Sequence, residues 1–340
     1  MEYSRGVVTL RDVARRAGVS ASVVSAVTSG SKTVRMSAPT RERVEAAIAE
    51  LGYRTNHAAK SLKMARTGIV SVIVPKLSNP VFAQTIAGIE DAAEESGDVV
   101  LVSDSDRIGP GTNLMHRLAG TGMADGFLVR SSRVGDATVD ELKARGIPYV
   151  VLNGPPVDEH TCVWVDDRAG IDLATSALLD RGHRRIALVG GPVAMNAEDA
   201  RAEGFRDAFT SRGLTPPRGG LHRIGYELTD VAREITDLLS TTNRPTAVVV
   251  DNITVAAAAL AAAADAGLRV PQDLSIVGYH DVATAAFLRP AVTTVRMPVR
   301  EAGERGFRAL RDLIDGRRAR SVIVRSPRPK LVLRDTVASI

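Results

Sequence analysis

The sequence predicts an α/β protein in which a small three-helix head precedes a large core of two α/β lobes. Three observations carry this. The first fifty-odd residues hold three short stretches of helical periodicity, each with start and stop signals. From Gly68 onward, apolar runs of strand type alternate with helical stretches, which predicts parallel sheets covered on both faces. That alternation runs through twice, which predicts two lobes of similar design. A chain of 340 residues also exceeds one comfortable core.

The head begins at Thr9, a helix cap with Asp12 three residues on as its partner. Leu10, Val13, Ala14 and Ala17 then repeat at i, i+3, i+4 and i+7, and Gly18 turns the chain. Ser20 caps a second helix over 21–28, with Val24 and Val27 facing inward, and Ser29 and Gly30 break it. Ser37 caps a third, which tolerates Pro39 in its first turn. Val44, Ala47, Ile48 and Leu51 form its apolar stripe, and Gly52 ends it.

The run RDVARRAGVSASVVSAV has the pattern of a helix-turn-helix. Ala14, Val19 and Val24 must pack together while the second helix turns its other face outward. A plain pair of core helices has the same spacing. Charge favours nucleic acid: residues 1–66 hold 12 Lys and Arg against 5 Asp and Glu, a net of +7, which leaves −2 for the rest. A solvated basic arm would show the same balance.

Residues 54–67, RTNHAAKSLKMART, read as a linker of helical character, with Asn56 as the cap of a short helix through Lys63. A helix of that length is marginal alone in water, so it is expected to order on gaining a partner.

In the core, the first series runs IVSVIVP, a helix over 82–96, VVLVSD, a helix over 113–118, ADGFLV, a helix over 138–145 and IPYVVLN. The second runs a helix over 170–181, RRIALVGG, a helix over 200–212, a strand over 221–224, a helix over 229–240, AVVVD, a helix over 254–266 and LSIVGY. The small residues of AAAALAAAAD (256–265) suit a closely packed helix. Ligands of such sheets bind at the carboxyl ends of the strands. Two facing lobes put that crevice between them, where hinge closure traps a small molecule.

Several classes lose support. No run of 18 apolar residues suggests a membrane span, and the amino terminus lacks a secretory pattern, so a cytoplasmic protein is expected. The one cysteine, Cys162, reads as a small buried residue. No G-x-G-x-x-G, phosphate loop, G-x-S-x-G, H-E-x-x-H or C-x-x-C appears, and His183 before a strand reads as structural. No enzyme, cofactor or metal is expected.

The chain resembles the LacI/GalR family of bacterial repressors. The likeness lies in TLRDVARRAGVS (9–20), TRERVEAAIAELGYRTN (40–56), VPKLSNPVFAQTIAGIEDAAEESG (74–97), RGHRRIALVGGP (181–192), RAEGF (201–205), RPTAVVV (244–250), GLRVPQDLSIVGYHD (267–281) and PAVTTVRMP (290–298), and their order and spacing are specific. It implies a homodimer that reads a palindromic operator and carries a sensor core of the type I periplasmic-binding-protein fold. The implied parts are a DNA-binding domain at 1–55, a hinge helix or linker at 56–67 and an effector core at 68–340. In that core the first lobe is about 68–164 plus 293–325, and the second about 165–292 plus 326–340.

The resemblance also implies site residues. Ser20, Val23 and Ser25 match phosphate-contacting positions, with Val23 a departure from a common Thr. Ala21, Ser22 and Ala26 match base-reading positions, and Ala26 offers only a methyl where relatives carry Arg. Thr9, Thr40 and Asn56 complete that set, and Lys32 and Arg35 lie in a long loop suited to backbone contact. Leu62 matches the minor-groove wedge of the hinge, where Ala58 and Ala59 are small enough for two hinges to meet.

In the core, Arg201 matches an effector-gripping arginine. Val81, Phe82, Asn153, Met195, Ala197, Tyr226, Asn252 and His280 match other cleft-lining positions. His280 and Ile253 stand where relatives carry acids, so a less acidic, more apolar pocket is expected, open to a non-sugar or modified-sugar ligand. The readings that compete with a repressor are a ligand-binding protein of the same core, an α/β enzyme and an activator.

Overall fold

The computed structural model describes residues 8–28, 36–53, 66–105, 107–131, 135–154, 160–191, 196–224 and 228–340. The chain divides into two compact units, Met1–Thr67 and Gly68–Ile340.

The first unit holds α1 (Leu10–Ala17), α2 (Ala21–Thr28) and α3 (Ala38–Leu51). The Asp12 carboxylate accepts the Thr9 N–H at 3.0 Å and the Thr9 hydroxyl at 2.6 Å, which fixes the start of α1. Gly18 and Gly52 close α1 and α3 in the left-handed conformation that favours glycine. Val13, Ala14, Ala17, Val24, Val44 and Ala47 make a common core, with Val19 and Val27 packed against it. The exposed Arg16–Glu50 pair joins α1 to α3 at 2.6 Å and contributes little, roughly 0–1 kcal/mol.

The second unit starts with β1 (Ile69–Val74), α4 (Val81–Ser96), β2 (Val99–Asp104), β3 (Gly126–Arg130), α5 (Ala137–Ala144), β4 (Tyr149–Leu152) and β5 (Cys162–Val165). Between β2 and β3 the expected helix shrinks to one turn, Asn113–Met115, that widens into a π-turn, His116–Gly120. Then come α6 (Asp167–Leu179), β6 (Ile186–Gly190), α7 (Asn196–Thr210), β7 (Leu221–Arg223), α8 (Leu228–Ser240), β8 (Ala247–Val250), α9 (Ile253–Asp265) and β9 (Ser275–Tyr279). The chain ends with β10 (Thr293–Arg296), α10 (Val299–Ile314), β11 (Val322–Val324) and β12 (Lys330–Val332).

One sheet has the order β11-β5-β4-β3-β1-β2 and the other β12-β10-β9-β8-β6-β7. The two orders correspond strand for strand, so the repeated series is a repeated topology. All pairings are parallel except β10 with β12. The expectation that residues 293–325 belong wholly to the first lobe is corrected here. Thr293–Val295 pair with Val277–Tyr279 of β9, so β10 extends the second sheet and the crossing follows Arg296. A partner strand decides membership, and local pattern carries no record of that partner.

An apolar cluster joins both sheets through α4, α6, α7 and α10, with Val72, Phe307, Ile171, Phe205 and Val277 among its buried members. Two glycines set how closely α4 and α10 approach. A Cβ on Gly88 would lie 2.0 Å from the Arg300 carbonyl oxygen, and one on Gly303 would lie 2.1 Å from that of Thr85. Ion pairs Arg300–Asp91 and Arg311–Asp98 flank the seam. Backbone cannot yield as a side-chain tip can, so Gly303→Ala should destabilise the core by about 1–3 kcal/mol or more. Thermal unfolding of the full chain checks this, and an unchanged midpoint would refute the reading of the seam.

Candidate functional site

In the head, Thr9, Ser20, Ala21 and Ser22 are exposed, and Val23, Ser25 and Thr40 are half-buried. The Ser20 and Ser22 hydroxyls pair at 2.7 Å at the start of α2. Ala26 departs from expectation: it is only 4% exposed, so its methyl is not offered to a base edge. Lys32, Arg35, Asn56 and Leu62 lie outside the described residues.

In the core, the polar groups converge beyond the carboxyl ends of the strands, where both sheets reverse their order. Arg201, on α7, is 5% exposed. Its Nε donates to Asp167 Oδ1 at 3.2 Å, and its Nη1 stands 3.7 Å from Asp251 Oδ2. Its guanidinium carbon lies 4.7 Å above the centre of the Tyr279 ring, a cation–π contact. Asp167 opens α6 and Asp251 follows β8; they are 4% and 3% exposed.

Asn153, just past β4, brings in the first lobe. Its Nδ2 donates to Asp167 Oδ2 at 3.3 Å, and its Oδ1 accepts the Val165 N–H at 3.3 Å. Arg130, at the end of β3, donates to the Asn153 carbonyl at 3.4 Å. Asn252 is engaged otherwise: Oδ1 caps α9 through the Thr254 and Val255 N–H groups, and Nδ2 donates to Asp251 at 2.8 Å. Its amide thus ties Asp251 to the start of α9.

His280, past β9, is buried with φ at +68°, and its ring centre lies 4.4 Å from that of Tyr279. Asn153 is also left-handed, at +54°. Non-glycine residues rarely adopt that conformation, and such residues cluster at functional sites. Burial, with Arg201 and then Arg130 nearby, holds the His280 imidazole well below its ordinary pKa, so the ring is neutral. Its Nδ1 is buried without a hydrogen-bond partner among the described residues. Burial, reinforced by the Asp167 charge, raises the Tyr279 phenol well above its ordinary range.

Val81 and Phe82 start α4 and are buried. Ala197 falls in the first turn of α7, while Met195 and Tyr226 lie outside the described residues. The expected poverty of acid is corrected: Asp167 and Asp251 stand beside Arg201, from positions the sequence reading passed over. His183 is structural as read, its ring nitrogens lying 2.9 Å from the Thr246 hydroxyl and 3.1 Å from the Ala338 carbonyl. No three His, Cys, Asp or Glu side chains among the described residues are grouped to hold a metal ion.

Residues 9–56 match the bacterial regulatory proteins of the lacI family, and residues 175–337 match a periplasmic binding protein-like domain. The chain is 34% identical over 333 residues to the HTH-type transcriptional repressor PurR of Erwinia tasmaniensis, covering 97% of each chain. The PurR of Proteus mirabilis is 33% identical over 338 residues, again with 97% of each covered. The solved lac repressor dimer bound to operator and the anti-inducer ONPF is similar at a TM-score of 0.79 and 28% identity, covering 98% of this chain and 99% of that one. The regulator CelR in complex with cellobiose is similar at a TM-score of 0.70 and 30% identity, covering 97% of this chain and 99% of that one.

Proposed function

The chain belongs to the LacI family of bacterial regulatory proteins, and from that premise we propose that its effector binds at Arg201, between the lobes, and sets the grip of a homodimer on a palindromic operator. It is a DNA-binding transcriptional repressor controlled by a small-molecule ligand. One observation carries the placing of the effector: a buried cation, two buried carboxylates and a neutral imidazole whose Nδ1 lacks a partner among the described residues meet where both sheets reverse their order.

The charge of Arg201 is already met. Among the described residues its guanidinium lies against Asp167 and Asp251, and the neutral His280 adds no charge. An anionic ligand would bring an uncompensated charge into a dry site, which is costly. An uncharged effector with both hydrogen-bond donors and acceptors fits better. Such a ligand couples to DNA affinity by a free energy of about 1–3 kcal/mol, and its sign depends on which lobe arrangement it favours.

Dimerisation is supported by β2, the edge strand of the first sheet. Val99, Leu101 and Val102 are exposed on it. A long apolar edge is an aggregation hazard unless a partner covers it. No helix among the described residues is long and apolar enough to cross a membrane, and work at a promoter requires the cytoplasmic compartment.

The test is selection of duplexes from a random pool by the purified full chain, followed by competition with and without metabolites that raise its melting point. One palindromic family of duplexes should emerge, and its affinity should change when a stabilising metabolite is added. If no duplex is enriched over random competitor, the reading fails.

A further inference from the structure

Two side chains of the first lobe reach the second beside the cleft. Asn153 meets Asp167 at 3.3 Å. Gln84, half-buried on α4, donates Nε2 to the main-chain carbonyl of Asp281 at 2.7 Å. That carbonyl sits on a firmly held residue. The Asp281 carboxylate accepts from the Thr294 hydroxyl at 2.7 Å, from Arg296 at 3.0 and 2.6 Å and from Arg334 at 2.7 Å, all of the second lobe. His280, next in the chain, occupies the left-handed conformation with its Nδ1 unpartnered among the described residues.

We propose that Gln84 is a positioning residue, a cross-lobe latch whose bond to Asp281 couples the His280 turn of the second lobe to α4 of the first. The inference rests on His280 lying in the effector cleft. A ligand that hydrogen-bonds Nδ1 acts on the His280 turn, and the next carbonyl in the chain, on Asp281, is the one Gln84 holds. The amide of Gln84 is thus where ligand contact in one lobe reaches the amino end of α4, the helix locked to α10. A single neutral hydrogen bond biases a two-state equilibrium by about 2- to 10-fold, which suffices to tune a switch without locking it.

The test needs no ligand. Gln84→Met keeps the length and volume of the side chain and removes the donor. Gln84→Asn keeps the donor but falls one methylene short. Each is made in the full chain with nitroxide labels at A144C on α5 and T236C on α8, both exposed sites, while native Cys162 is buried. Labelled chains are diluted with unlabelled ones so that only distances within a chain are read. Both variants should enlarge the population at longer inter-lobe distance by about 2- to 10-fold while the melting point stays near that of the parent. A parental distance distribution in both variants overturns the latch. So does a changed distribution that appears only with general loss of stability in both. A failed effector assignment shows up separately, in metabolite titrations of Arg201 variants.

Discussion

Replacing Arg201 by alanine is expected to cost the core about 3–5 kcal/mol and to abolish stabilisation by the effector. The magnitude follows from what is left behind. Asp167 and Asp251 are 4% and 3% exposed, and Arg201 is the cation between them. Without it, both buried carboxylates lose their contact with the guanidinium. The stacking of the guanidinium on Tyr279 is lost as well. For a core of this size the loss corresponds to a fall in melting point of roughly 6–15 °C. Arg201→Lys recovers only part of it, because an ammonium cannot span both carboxylates and stack on a ring. Adding Asp251→Asn to the alanine variant should restore part of the stability, since one of the buried carboxylates that lost the guanidinium becomes neutral. Thermal unfolding of the four combinations, with and without a stabilising metabolite, measures both effects. If Arg201→Ala melts like the parent and still responds, Arg201 has no part in the site.

This dependence of stability on a cluster from distant sequence positions shows where the sequence was legible and where it was silent. The head was legible in detail because its signals are local. Thr9 with Asp12, Pro39 in a first turn, and Gly18 and Gly52 at helix ends each act within one turn, and each acts as read. Strand and helix alternation was legible for the same reason up to β9, apart from β5, while α10 and the strands β10, β11 and β12 went unread. Lobe membership of β10 was not legible, because it depends on a hydrogen-bonded neighbour, β9, and not on the strand's own pattern.

The site divides along the same line. Arg201 and His280 of this buried cluster were named through motif likeness, whereas Asp167, Asp251 and Tyr279 beside them were not. Asp167 follows β5, which the series of apolar runs left out, and Asp251 looks like the polar stop of AVVVD. Only the crossing from β5 into α6 and the ordering of β8 beside β6 bring both carboxylates to one guanidinium. Asn252 illustrates the converse. Its place before ITVAAAAL was a readable cap signal, and its side-chain oxygen caps α9 although the resemblance placed Asn252 in the cleft. Ala26 was assigned through the family resemblance, while the fold of this head buries its methyl.

A chain beginning at Gly68 is expected to fold, to bind the effector and to lose at least about 10³-fold in affinity for the selected duplex. Folding is expected because both sheets and the apolar cluster that joins them lie within Gly68–Ile340. Loss of duplex affinity is expected on two counts. The helix-turn-helix goes, and with it every exposed group positioned on α2 to meet a groove. The electrostatic term goes too, since residues 1–66 carry a net of +7 and the remainder −2. Affinity for duplex DNA falls with salt in proportion to the phosphates neutralised, so the parent should show a steep log–log salt slope. The remaining fragment, net negative, should show almost none at any salt. Fluorescence anisotropy of the labelled duplex across a salt series measures both slopes, and thermal unfolding with metabolite reports the integrity of the core. A fragment that stays folded and holds the duplex within tenfold of the parent would move the DNA-binding surface out of the head and into the core.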